Sequence, residues 1–99
     1  MRRAEALDRL RQHHADLRRL GVGRLFLYGS VARDQADPGS DVDLLVEPGY
    51  DRFSLFDLMR VQDECSRLLG RRAELHDYRG LERAPEFRAR VSVDLVNVF

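Results

Sequence analysis

The sequence predicts an α/β domain in which a small mixed β-sheet packs against helices. Short apolar runs typical of buried strands alternate with longer stretches in which apolar residues recur at helical spacing. Glycine or a Pro-Gly pair separates several of these stretches. The chain has 99 residues, shows no repeat or low-complexity linker, and is long enough to bury one core. We therefore expect residues 1–99 to form a single domain.

The first half of the chain predicts one helix followed by two strands. The helix is expected over residues 4–20, and Gly21 is expected to end it. Four leucines form its apolar stripe: Leu7, Leu10, Leu17 and Leu20. The apolar runs at residues 24–28 and 42–46 each predict a buried strand. Candidate functional residues follow the first predicted strand and lie at the start of the second one.

The second half predicts a long helix and two further strands. The helix is expected over residues 55–69, because Ser54 and Asp57 are spaced as in a capping box and Gly70 is a typical helix stop. Its apolar residues are interpreted as core: Leu55, Leu58, Met59, Leu68 and Leu69. The remaining elements are a strand over residues 72–77, a helical turn near residues 85–90 and a final strand over the alternating residues 91–98.

Charge and composition exclude several classes of function. Acidic and basic residues number 17 each, and the resulting net charge of zero argues against a general nucleic-acid-binding protein. All 17 basic residues are arginine, so a P-loop lysine and lysine Schiff-base chemistry are excluded. The single cysteine, Cys65, excludes an internal disulfide and is expected to be a buried helix residue. No apolar run suits a membrane span or a signal peptide, so a cytoplasmic location is expected.

The segment after the first strand has the chemistry of a phosphate site. Gly29 permits a sharp turn and close approach of a ligand, and Ser30 is expected to cap a short helix over residues 31–35. The free N–H groups at the start of that helix favour an anion, and Arg33 adds a forked, charged donor. Taken alone, a Gly-Ser pair before a helix is more often a plain structural turn.

The start of the second strand has the chemistry of a metal site. Asp41 and Asp43 are two residues apart, which places both carboxylates on one face of a strand. At about 4 Å and an effective dielectric constant near 20, two such charges repel by roughly 4 kcal/mol. A divalent cation with oxygen ligands would offset that repulsion. The alternative is an Asp-rich turn over residues 38–41; an EF-hand loop is excluded because Leu45 stands at its third ligand position.

The two segments together resemble a known signature. Gly29-Ser30, ten intervening residues and then Asp41-Val42-Asp43 entering an apolar strand resemble the nucleotidyltransferases with a polymerase-β-like core. The chain looks most like the minimal nucleotidyltransferases, and the resemblance covers nearly all of it. It implies that a nucleoside triphosphate, ATP, binds at Gly29, Ser30, Arg33 and Ser40.

The same resemblance implies that three carboxylates hold two Mg²⁺ ions and form the catalytic centre. Asp41 and Asp43 supply two of them, and Glu74 stands where the family usually has the third, an aspartate. Asp77 is a nearby alternative to Glu74. Asp94 matches the pattern only superficially, because it lies in the predicted final strand and is expected to be structural.

The resemblance further implies transfer of AMP onto a hydroxyl group. In the minimal family the partner is often a small all-helical RNase toxin of the HEPN class, and the resemblance then implies an antitoxin that transfers AMP onto a tyrosine of that toxin. One alternative is a weak or dead domain that neutralises a helical partner by binding alone, which the glutamate at position 74 favours. Another is an aminoglycoside-type small-molecule nucleotidyltransferase, against which the short chain argues. Neither membrane association nor general nucleic-acid binding is expected.

Overall fold

The computed structural model describes residues 1–99 and is organised by a four-stranded mixed sheet of order β3-β2-β1-β4. The strands are β1 (Val22–Tyr28), β2 (Val42–Pro48), β3 (Ala73–Asp77) and β4 (Val96–Asn97). β1 pairs antiparallel with both β2 and β4, whereas β2 pairs parallel with β3. The long crossover that this parallel pair requires contains the longest helix. The predicted mixed α/β class is confirmed.

Helices lie on both faces of this sheet. They are α1 (Arg3–Gln12), α2 (His14–Arg19), α3 (Gly29–Ala32), α4 (Leu55–Leu69) and α5 (Pro85–Ser92), with a 3₁₀ helix at Tyr78–Arg83 before α5. None of the helices is long and apolar enough to cross a membrane.

The strands divide the buried residues into two clusters. Alternate residues of β2, such as Val42 and Leu44, face the larger cluster, which α1, α2 and α4 cover. Leu45 points to the opposite face, into a smaller cluster. The members of the smaller cluster are Phe26, Tyr28, Leu45, Leu81 and Val91, with Phe87 packed against them. α5 and the 3₁₀ helix therefore cover only part of that second face.

The predicted first helix is interrupted at His13. This residue has φ −111° and ψ 24°, so α1 ends there and α2 begins one residue later. The His13 ring Nδ1 lies 2.9 Å from the Arg9 carbonyl oxygen, while the His13 backbone N–H donates to Leu10 instead. The His13 ring thus contacts the Arg9 carbonyl oxygen, to which the His13 backbone N–H would donate in a continuous α-helix. Gly21 follows α2 with φ 104°, as expected of a helix stop.

α4 has the predicted bounds and ends. The Ser54 Oγ accepts a hydrogen bond from the Asp57 N–H at 3.3 Å, the Asp57 carboxylate accepts one from the Ser54 N–H at 2.8 Å, and Gly70 adopts φ 65°. The assignment of its apolar residues to the core is wrong at two positions: Leu55 is 71% exposed and Met59 54% exposed. They lie off the face that buries Val61, Cys65 and Leu69. Cys65 is buried as predicted, and burial raises the pKa of its thiol to about 12.

The predicted final strand is mostly wrong. α5 runs to Ser92, well beyond a helical turn, and the strand that pairs with β1 covers only Val96–Asn97. Val98 and Phe99 then form backbone hydrogen bonds to Leu25. Pro85 suits the first position of a helix, and Val91 is drawn into the smaller cluster. Residues 93–95 connect α5 to β4, so Asp94 lies in this connection and not in a strand.

Candidate functional site

A cleft of about 420 Å³ opens on the face of the sheet that carries the smaller cluster. β1, β2 and β3 form its floor, and α3, α5 and the α5–β4 connection form its sides. Its nine lining residues are Tyr28, Gly29, Arg33, Asp43, Glu74, His76, Phe87, Arg90 and Asp94. Four of the seven predicted site residues are among them.

The parallel pairing of β2 and β3 places Asp43 directly beside Glu74. Both side chains are half-buried on the cleft face. The pKa of the Asp43 carboxyl is raised, first because burial removes water and then because the charges of Glu74 and Asp41 repel it. The floor of the cleft is therefore a concentration of negative charge.

Gly29 turns the chain from β1 into α3 against this acidic floor. Its φ is 78°, and a Cβ at this position would overlap Asp43 Oδ2. The expected sharp turn at Gly29 is confirmed, and the group that lies close to it is Asp43 of the same chain. Close approach of a ligand stays a prediction. The expected capping role of Ser30 is wrong, because the residue before α3 is Tyr28 and no side chain caps the helix.

Asp94 enters the cleft from the α5–β4 connection and meets the predicted phosphate-binding groups. Its Oδ1 accepts a hydrogen bond from the Gly29 N–H at 3.3 Å. Its Oδ2 forms an ion pair with the Arg33 guanidinium. The Asp94 side chain is only 10% exposed. The expectation that Asp94 is a strand residue is wrong, because it lies before β4. The structural role expected of it stays a prediction.

Three predicted residues do not line the cleft. Ser30 lies beside Gly29 in α3, while the Ser40 Oγ accepts a 3.0 Å hydrogen bond from the Asp37 N–H within a turn. The Asp41 carboxylate lies 3.9 Å from the Arg72 Nε, just before the start of β2.

Asp77, the alternative third carboxylate, is also held elsewhere. It begins the 3₁₀ helix and pairs with Arg79 at 2.7 Å. Its β2 neighbour is Val46, whereas the neighbour of Glu74 is Asp43. The geometry therefore brings Glu74, and not Asp77, to the acidic floor.

Sequence reasoning missed five lining residues, of which Tyr28 and His76 form a pair. The Tyr28 hydroxyl lies 3.0 Å from His76 Nδ1. The pKa of Tyr28 is raised by burial and by the charge of Asp43, so its hydroxyl stays protonated at neutral pH. His76 could have been found, because it stands two residues after Glu74 on the same face of β3. Phe87, Arg90 and Asp94 have no comparable spacing from a predicted site residue that would have indicated them.

Comparison with known proteins identifies the family. The model of the nucleotidyltransferase domain family matches residues 6–97. The chain belongs to the nucleotidyltransferase family. A Methanocaldococcus jannaschii protein, described as a candidate protein adenylyltransferase, is 35% identical to this nucleotidyltransferase over 78 residues, or 79% of this chain and 81% of the relative.

Solved structures share the fold of this nucleotidyltransferase. One described as a candidate minimal nucleotidyltransferase is 34% identical, with a TM-score of 0.71 over 91% of this chain and 93% of that chain. A Shewanella oneidensis complex of a tri-AMPylated HEPN toxin with its MNT antitoxin has a TM-score of 0.64 at 15% identity, over 90% and 68% of the chains. A toxin–antitoxin complex with AMP-PNP has a TM-score of 0.71 at 16% identity, over 90% and 72%. The predicted resemblance to minimal nucleotidyltransferases is confirmed.

Membership of this family implies a nucleoside triphosphate substrate and a divalent metal ion, and the donor set fits such an ion. Asp43 and Glu74 offer hard oxygen ligands side by side. No three His, Cys, Asp or Glu side chains converge into a complete metal cage. Mg²⁺ at phosphoryl-transfer sites is bound by one or two carboxylates together with substrate phosphates, so two neighbouring carboxylates suit it.

Proposed function

We propose that this nucleotidyltransferase moves AMP from ATP to a hydroxyl group of another protein, with Mg²⁺ as the divalent cation. The observation that carries the proposal is the position of Asp43 and Glu74 at the floor of a cleft that also contains Gly29 and Arg33. Carboxylates for a cation and donors for phosphate thus share one cavity. Phosphoryl transfer requires both, because its catalysis is mainly positioning and electrostatic stabilisation.

Five residues have roles in this proposal. Asp43 and Glu74 hold the cation, and Asp41 joins them when its side chain leaves Arg72. Bound there, the cation would offset the carboxylate charges and stabilise charge that develops on the phosphate oxygens. The Gly29 N–H and the Arg33 guanidinium bind the phosphate chain.

The transfer itself is an in-line displacement. The acceptor oxygen forms a bond to the α-phosphorus, and the bond from that phosphorus to the pyrophosphate oxygen breaks. A carboxylate oxygen of Glu74 accepts the proton of the acceptor hydroxyl. The products are an AMP ester of the acceptor and pyrophosphate.

The proposed acceptor is a tyrosine of a small helical RNase toxin of the HEPN class, which makes this chain an antitoxin. The fold shared with antitoxins of toxin complexes supports this partner. The rim of the cleft supports a protein acceptor, because Val93 and Leu95 on either side of Asp94 are exposed apolar residues. Val93 is 82% exposed.

Calorimetric titration with ATP, with and without Mg²⁺, tests the nucleotide site. We expect Mg²⁺-dependent binding that disappears in the Asp41→Asn/Asp43→Asn double variant. The control is Asp51→Asn/Asp63→Asn, which removes two exposed carboxylates outside the cleft. Equal binding by the wild type and the cleft variant would show that these carboxylates hold no cation.

Transfer of radiolabelled AMP to a coexpressed helical partner tests the acceptor. We expect Val93→Asp to reduce transfer to the partner and to leave ATP affinity unchanged. Leu55→Asp is the matched control, because Leu55 is similarly exposed but begins α4. Label on a small molecule and not on a protein tyrosine would contradict the proposed acceptor.

A binding-only antitoxin is the second candidate. The observation that favours it is the Asp41 carboxylate, which lies near Arg72 and outside the cleft. Under this alternative the partner is neutralised without AMP transfer. Neutralisation that survives in the Asp41→Asn/Asp43→Asn variant would support it.

A further inference from the structure

We infer that the Asp94 carboxylate occupies the phosphate-binding position of the cleft and must be displaced when a nucleotide binds. The inference rests on the proposed function, because it concerns the same cleft. In addition, the Asp94 carboxylate, in the connection between α5 and β4, competes with the substrate for the same donors.

The contacts of Asp94 are those that a phosphate group would make. One carboxylate oxygen accepts from the Gly29 N–H at 3.3 Å, and the other pairs with the Arg33 guanidinium. A backbone N–H at a glycine turn and a forked arginine are typical donors to a phosphate oxygen. Asp94 therefore engages both groups assigned to the phosphate chain.

The burial of Asp94 shows that it is inserted and not merely adjacent. Its side chain is 10% exposed, whereas the preceding Val93 is 82% exposed. The connection therefore directs its one acidic side chain into the cleft and leaves its apolar neighbours outside. The Asp94 charge also adds to the charges of Asp43 and Glu74, because it contributes to the raised pKa of Asp43.

A triphosphate and this carboxylate exclude each other. Both are anions, and the Gly29 N–H is a single donor. Binding of ATP at the Gly29 N–H must therefore break the contact of Asp94 to that group. Repulsion between the two anions then favours release of Asp94 from Arg33 and movement of the α5–β4 connection. Because Val93 and Leu95 lie in the same connection, the displacement also moves the apolar rim proposed to meet the partner.

Titration of MgATP into Asp94→Asn tests the inference. Asparagine keeps the shape of the side chain but removes the competing charge, so we expect affinity to rise about twofold to fivefold, as for a partly exposed ion pair. Glu47→Gln is the matched control, because it also removes one carboxylate from an arginine pair, with Arg24 at 3.7 Å. Glu47 is outside the cleft, and its variant should bind ATP as the wild type does.

A double-mutant cycle separates competition from a general structural effect. If Asp94 acts by occupying Arg33, then Asp94→Asn should raise affinity in the wild type and not in an Arg33→Gln background. Asp94→Glu, which keeps the charge, should not reproduce the gain. Melting temperatures of all variants report whether each one is folded at the temperature of titration.

The outcomes distinguish this inference from the proposed function. Mg²⁺-dependent ATP binding by the wild type, with equal or weaker binding by Asp94→Asn, would overturn the inference alone. Asp94 would then be a group that positions Arg33. Absence of ATP binding by both proteins would overturn both the inference and the proposed function. Tighter binding that persists in the Arg33→Gln background would overturn the competition at Arg33.

Discussion

The ionised form of Asp43 that the proposed cation site requires is also the form that destabilises the fold. Asp43 lies beside Glu74, near Asp41, and close against Gly29. Burial and neighbouring charge raise its pKa, so the ionised form is less favourable in the folded chain than in the unfolded one. A bound cation would remove this penalty, whereas the protein without a cation retains it.

We expect Asp43→Asn to stabilise the protein at pH 7 by up to about 1 kcal/mol, the upper range for partly exposed charges. A carboxyl with a raised folded-state pKa destabilises the fold when ionised. The advantage of the variant should therefore grow as the pH rises from the ordinary value of 3.8 through the raised pKa, and it should disappear below 3.8. Urea unfolding at several pH values measures it.

Asp63→Asn controls for the loss of an exposed carboxylate on α4. It should change the free energy of unfolding little at any pH. A wild type as stable as Asp43→Asn at pH 7 would contradict the penalty assigned to Asp43.

Residues that act through local spacing were predicted, and residues that act through distant contacts were not. Asp41, Asp43 and Gly29 were named from their spacing, and Glu74 from its position in the family pattern. Asp94 was misplaced because the alternation of residues 91–98 suggested a strand, whereas Val91 packs into the smaller cluster as a helix residue. The roles of these residues remain predictions.

Among the elements, the turn from β1 into α3 brings Tyr28 and Gly29 to the cleft. Gly29 adopts φ 78° and lets the start of α3 lie against Asp43. Gly70 adopts a similar φ of 65° at the end of α4, but a Cβ there would meet only Arg9 Nη1, at 3.9 Å. The two glycines thus share a backbone requirement and differ in what surrounds them.

Gly29→Ala and Gly70→Ala should separate backbone strain from steric overlap. Each should lose about 1–2 kcal/mol because a side chain disfavours positive φ. Gly29→Ala should lose more, since its Cβ must also displace the Asp43 carboxylate. Only Gly29→Ala should lose ATP binding, as measured by calorimetry beside thermal melts. Equal losses of stability and retained ATP binding in both variants would contradict the close approach.

The ends of elements were predicted best where side chains mark them. Ser54, Asp57 and Gly70 fixed α4, because capping depends on neighbours in sequence. The break between α1 and α2 was missed, because His13 stops the helix by binding the Arg9 carbonyl and no glycine or proline marks it. The exposed Leu55 and Met59 were missed because apolar residues do not reveal which helix face meets the sheet.

For the whole molecule, the division of the core between two faces of the sheet determines where the cleft can form. α1, α2 and α4 cover the larger cluster, whereas α5 and the 3₁₀ helix cover the other face only in part. The cleft occupies the remaining part of that face, and its side formed by α5 depends on the smaller cluster.

We expect Val91→Ala and Val61→Ala to have similar effects on stability and different effects on the cleft. Both valines are almost fully buried, Val91 in the smaller cluster and Val61 in the larger one. Each variant should lose about 2 kcal/mol in urea unfolding. Only Val91→Ala should change the ATP affinity, because α5 carries Arg90 and leads to Asp94. An equal effect of both variants on ATP affinity would contradict this division.

The sequence by itself determined the fold class, the family and the positions of Gly29 and Asp43, because these depend on periodicity and on spacing within one or two elements. The tertiary structure alone decided that Glu74, and not Asp77, lies beside Asp43, since that follows from the parallel register of β2 and β3. It also decided that Asp94 meets Gly29 and Arg33, which are more than 60 residues away. Such contacts depend on how α5 packs on the sheet, and packing is a property of the whole chain.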